Sequence, residues 1–171
     1  SGIDEFLDQV TSWDVAGLYV VIARSDPTYS QMIAPERLAS LLYLTYVIGA
    51  VNGFELVFGY ADFLGLALRA AGAKAFATGW NQGQRQFHRS AFYRRKPGGQ
   101  PARLRYSSGP MLNSILLSEL EQVHEAGQLA SVLSGVSSDE VLTRSAAPMQ
   151  SDWNIPVSQL GHWQTLKFLD Q

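Results

Sequence analysis

The chain has no cysteine. Neither a disulfide framework nor a thiolate metal site can form, and a reducing, cytoplasmic setting is expected. The opening residues Ser1-Gly2-Ile3-Asp4-Glu5 lack the basic region and apolar core of a secretory signal. A membrane span needs about 20 mostly apolar residues. The longest uncharged stretch, Leu38 to Phe54, is shorter, contains Ser40 and Thr45, and runs out at Asn52-Gly53 like a helix stop. No membrane partner is expected. His88, His124 and His162 are too far apart for metal-ligand spacing. The segment Gly79 to Gly83 has only two glycines and fits no phosphate-loop fingerprint, and no Gly-x-Ser-x-Gly elbow occurs. No metal and no cofactor are therefore expected.

What remains is a chain of 171 residues, 46% apolar and only 16% charged. That balance is wrong for disorder and sufficient for one domain with its own core. Leu18 to Ala23 is a short apolar run entered through Gly17 and left at Ser25-Asp26-Pro27. It does not alternate, which suits a strand covered on both faces of a parallel sheet. Pro35 then opens a helix carried by Glu36 to Val51, with Gly53 as its left-handed stop. The unit repeats: Phe54 to Gly59 as strand, Asp62 as N-cap of a helix over Phe63 to Ala71, Gly72 as stop, and Ala73 to Thr78 as a third strand. The rhythm of residues 17–80 resembles consecutive units of a (β/α)8 barrel, a likeness generic to the architecture.

After residue 80 the pattern changes. Ala91 to Lys96 and Ala102 to Ser107 are short runs joined by Pro97-Gly98-Gly99-Gln100-Pro101, a hairpin or long loop. A helix is expected from Met111 to about Glu125, on the spacing of Leu112, Ile115, Leu116, Leu120 and Val123. Shorter helices are expected at residues 128–133, 138–144 and 157–169, with a linker from Ser145 to Pro156. The fold class is thus α/β, with parallel βαβαβ units (barrel-like in part, or a small open sheet), then a basic hairpin or loop and C-terminal helices. One domain over 1–171 is expected, in three parts at 17–80, 81–110 and 111–171, whole or as a piece of a larger barrel protein.

The strongest functional signal is another absence. No acidic residue lies between Asp62 and Glu119, an interval with nine bases, whereas residues 1–62 carry eight acids and two bases and residues 119–171 carry seven and two. The bases near the centre are interleaved with Trp80, Phe87, His88, Phe92, Tyr93 and Tyr106. Arginines pair with phosphate oxygens and aromatic faces stack on bases, so this pattern points to nucleic acid or a phosphorylated ligand. The same bases, over residues 88–106, suit docking on an acidic protein partner or on a second copy of the chain.

In parallel α/β sheets ligands bind beyond the carboxyl ends of the strands. Those ends carry Arg24, Ser25 and Asp26, then Tyr60, Ala61 and Asp62, then Thr78, Gly79, Trp80 and Asn81, with Arg85 close behind. Asp26 and Asp62 are the available acids or bases for catalysis, but the structural reading comes first for each, Asp26 as a turn residue and Asp62 as a helix cap. The expected ligand-binding residues are Arg24, Tyr60, Trp80, Asn81, Arg85, Arg89, Arg94, Arg95 and Lys96. Arg24 can instead pair with Asp26. Ser107-Ser108-Gly109 offers backbone amides for an anion ahead of the helix expected from Met111. The leading expectation is a phosphate-binding or nucleic-acid-binding domain, catalytic or not; the alternative is a non-catalytic assembly domain.

Overall fold

The computed structural model describes residues 2–24, 33–89, 103–144 and 152–171. The chain packs as two compact units, Ser1–Arg95 and Lys96–Gln171.

The first unit opens with helix α1 (Gly2–Thr11), which turns Leu7 and Val10 into the core and sets Asp4 and Glu5 in its first turn, where the helix dipole favours them. Strand β1 (Gly17–Val21) follows, then β2 (Ala23–Arg24). Helix α2 (Pro35–Thr45) starts at a proline that needs no amide partner, and its last turn widens to π-helical spacing over Tyr46–Val51. Gly53 ends it at φ 74°. Strand β3 (Glu55–Gly59), helix α3 (Leu64–Ala70) and strand β4 (Ala75–Phe76) complete the repeat, and β5 (Phe87–His88) comes after a 3-10 turn at Gln82–Gln84.

β1, β3 and β4 form one parallel sheet in the order β1-β3-β4, with Val21 opposite Gly59 and Phe58 opposite Phe76. β2 pairs in parallel with β5, setting Arg24 opposite His88. One sheet face, with Leu18, Val20, Leu56 and Phe58, packs with Leu38, Leu41, Leu42, Ile48, Leu64 and Leu68 of the helices. Burying a leucine of this kind contributes about 2 kcal/mol. The opposite face carries Tyr19, in register with Val57, and Tyr19 is 64% exposed. These strands are therefore not covered on both faces. Nor is the arrangement barrel-like: the sheets are open, and the next pair of strands along the chain is antiparallel.

In the second unit β6 (Arg105–Ser108) and β7 (Asn113–Leu116) form that antiparallel hairpin, with Tyr106 opposite Ile115 and Leu112 in its turn at φ 47°. Helices α4 (Leu117–Glu125), α5 (Asp139–Arg144) and α6 (Ile155–Leu169) follow. Its core holds Tyr106, Ile115, Leu117, Leu120, Val132, Leu142 and Trp153.

Three further expectations change here. The helix expected from Met111 begins only at Leu117, because Asn113–Leu116 pair with β6. The Ser107-Ser108-Gly109 segment is therefore hairpin, not helix entry, and the Gly109 amide already donates to Ser134 Oγ at 2.8 Å. Within the expected linker, Trp153 is fully buried, donating its indole N–H to the Arg105 carbonyl at 3.1 Å, and Asn154 caps α6. Residues 145–151 of that linker lie outside the described residues, as do the run Ala91 to Lys96 and the loop Pro97 to Pro101. Among the described residues no helix is long and apolar enough to cross a membrane.

Candidate functional site at the strand ends

Beyond β3 the backbone takes two unusual steps. Tyr60 sits at φ 57° and Asp62 at φ 49°, conformations that cost a side-chain-bearing residue about 1–3 kcal/mol each and hold only where the surroundings impose them. The first turns the Tyr60 ring edge-on to Phe87, with centroids 5.6 Å apart. The second drives Asp62 inward until it is fully buried. The cap expected of Asp62 takes another form: Phe63 is the N-cap position of α3, and the backbone carbonyl of Asp62 accepts the Gly65 amide at 2.9 Å. The carboxyl group is accordingly directed to the rim, where it accepts the Phe63 amide and interacts with the charges of Arg85 and Arg24.

Arg85 is 3% exposed. Its guanidinium donates to Gln82 Oε1 at 3.1 Å and to the carbonyls of Gly79 and Trp80 at 3.4 Å each, so the loop after β4 is wrapped around it. Arg24 is partly buried at the end of β2 and also faces Asp62. Desolvation dominates all three groups. It pushes Asp62 up to about 6 despite both arginines, lowers Arg85 to about 10, and lowers Arg24. Two cations and one carboxylate thus meet at the carboxyl ends of the strands, an excess of one positive charge when Asp62 is ionised.

Beside this cluster lies a cleft of about 240 Å³ lined by Tyr19, Tyr60, Ala77, Thr78, Gly79 and Gln84. Two glycines make room for its walls. A Cβ on Gly59 would lie 2.0 Å from the Tyr19 hydroxyl oxygen, and one on Gly79 would lie 2.0 Å from Gln84 Cβ. Gly79 joins the two features, lining the cleft while its carbonyl holds Arg85. Thr78 Oγ1, Gln86 Nε2 and His88 Nδ1 are buried and make no hydrogen bond among the described residues.

No protein-family model, curated protein or solved structure matches this chain.

Of the residues named from sequence, Arg24, Asp62 and Arg85 come together, and Tyr60 forms a wall of the neighbouring cleft. Trp80 is half exposed and contributes its carbonyl to Arg85. Asn81 is exposed, with its amide on Gln84 Oε1 at 3.4 Å, and Arg89 is exposed after β5. Asp26, Arg94, Arg95 and Lys96 lie outside the described residues. Sequence reasoning missed Tyr19 altogether. Its place depends on the register that sets β1 beside Gly59, which no local pattern discloses.

Proposed function

We propose that the first unit binds a phosphate-bearing ligand at the carboxyl ends of its parallel strands, with Arg24 meeting the anion and Arg85 and Asp62 positioning it. The observation that carries this reading is the meeting of Arg24, Asp62 and Arg85, from three separate segments, at the end of the sheet where α/β ligands sit. Fully buried, Asp62 is read as a positioning residue rather than as an acid or base acting on a substrate. Its burial raises the pKa, so its ionised form costs the fold stability near neutral pH. A carboxylate retained at such a cost is better explained by what it does to the arginines than by packing. Within the first unit no acidic residue follows Asp62, whereas Arg69, Lys74, Arg85, Arg89, Arg94 and Arg95 do.

The test is an equilibrium titration with inorganic phosphate and with a short oligonucleotide. Arg24→Gln should weaken both, by about tenfold for one charge-assisted contact. Converting Arg94, Arg95 and Lys96 to Ala should weaken only the oligonucleotide and flatten its salt dependence. Wild-type affinity of Arg24→Gln for both ligands contradicts the reading.

A second reading, an assembly domain, has one observation in its favour. The outer side of α2 and its π-helical turn exposes Ala39, Tyr43, Tyr46 and Ala50, within the stretch that lacks charge. Sedimentation of the wild type against Tyr43→Ser/Tyr46→Ser separates the two: an oligomer lost in the variant, with no phosphate binding in either protein, favours assembly.

A further inference from the structure

We infer that the cleft between Tyr19 and Tyr60 receives the planar heteroaromatic ring of a nucleotide, the phosphate of which lies at Arg24. The inference rests on the phosphate reading above and names the rest of the ligand. The cleft is small. At about 240 Å³ it falls below the roughly 300 Å³ at which sites for larger ligands begin, so it admits one ring system and not an extended chain. Its lining contains no charged side chain. What it offers instead is two tyrosine rings and neutral hydrogen-bonding groups, the Gly79 peptide and the Gln84 amide. Gln84 Oε1 takes the Asn81 amide, which leaves the NH2 end as a donor for a ring nitrogen or carbonyl. A flat, neutral ring edged with donors and acceptors matches this lining; a second phosphate or a carboxylate does not.

The backbone of the cleft is shaped for these walls. The absence of a side chain at Gly59 leaves room for the Tyr19 ring to lie across it, and Gly79 lets Gln84 approach its backbone closely. Tyr60 is held in a left-handed conformation with its ring edge on Phe87, and Phe87 pairs with Ala23, the residue next to Arg24. Tyr60 is thus the link between the aromatic cleft and the cationic cluster. An aromatic wall held as Tyr60 is stacks a base with little loss of side-chain freedom.

The experiment is calorimetric titration of the full chain with adenosine 5′-monophosphate, adenosine and inorganic phosphate at matched ionic strength. The monophosphate should bind about tenfold more tightly than inorganic phosphate, the worth of one base–aromatic stack. Tyr60→Ala should remove that advantage, while Tyr60→Phe retains it. Tyr60 has a special backbone conformation, so Tyr19→Ala, at a largely exposed position, serves as the second variant, with the same loss expected. Equal affinity for phosphate and monophosphate, or equal weakening of both by Tyr19→Ala, overturns the nucleotide inference and leaves the phosphate reading standing. Failure of every ligand to bind the wild type overturns both.

Discussion

The two units place their buried charged groups differently. In the second unit a buried carboxylate is tied into a web of hydrogen-bonded side chains and amides. The Tyr106 hydroxyl lies 3.0 Å from both Asp139 Oδ1 and Ser134 Oγ and accepts the Ser134 amide at 2.6 Å. Asp139 Oδ2 accepts the amides of Gly135 and Val136, and His162 Nδ1 lies 2.9 Å from Ser107 Oγ. This web ties the hairpin to α5 and α6, and burial raises the Tyr106 pKa so that it stays a neutral phenol. In the first unit the buried charged groups, Asp62 and Arg85, lie at a strand-end rim beside the positive-φ backbone of Tyr60 and Asp62. Buried polar groups cross-linked by hydrogen bonds stabilise a fold. Desolvated charges beside a cleft are the arrangement on which the proposed phosphate site rests.

Substitutions can break this contrast. The largest effect should come from Trp153→Ala, which removes the largest fully buried side chain and its bond to Arg105, at a cost of about 4 kcal/mol. A denaturant titration reads the loss, and phosphate affinity measured where the variant remains folded should not change. Tyr106→Phe should cost about 2 kcal/mol in the same assay, since it strands the Ser134 amide and one oxygen of Asp139. A neutral outcome there would mean that the web is incidental and the contrast overdrawn. At the small end stands Lys74→Ala, which breaks an exposed pair with Glu55 at 3.3 Å. It should shift stability by less than about 0.5 kcal/mol, marking the level at which a charge in this molecule carries no weight.

The same contrast explains what sequence could disclose. Strands β1 and β3 and helix α2 were legible because their apolar runs are bounded by Gly17, Pro35 and Gly53. Helix α1 was missed although Ile3, Leu7 and Val10 have helical spacing; the segment is short and strongly acidic at its start. Strand β7 was absorbed into α4 because Ile115, Leu116 and Leu120 continue one pattern across the boundary, and only pairing with Tyr106 and Arg105 makes the first two a strand. The barrel-like reading failed for a related reason: a local strand–helix rhythm says nothing about how many strands pair or whether a sheet closes. At the site, Arg24, Asp62 and Arg85 followed from the strand-end rule. The Tyr19–Gly59 and Gln84–Gly79 approaches did not, since they exist only through register and packing.

The central claim is that Asp62 is kept for its effect on the arginines and not for the fold. Its raised pKa fixes the sign of the test. The carboxyl is protonated more readily in the folded chain than in the unfolded one, so its stabilising contribution is complete below about pH 4 and is lost as pH rises through about 6. The rise from 3.8 to about 6 corresponds to about 3 kcal/mol. Asn resembles the protonated carboxyl. The decisive measurement pairs denaturant unfolding of Asp62→Asn with a phosphate titration, both at pH 7. The account predicts a variant at least as stable as wild type, by up to about 3 kcal/mol, with weakened phosphate binding and without the wild-type loss of stability between pH 4 and 6. A variant that loses stability at pH 7 yet binds phosphate like wild type would make Asp62 a structural charge and contradict the account.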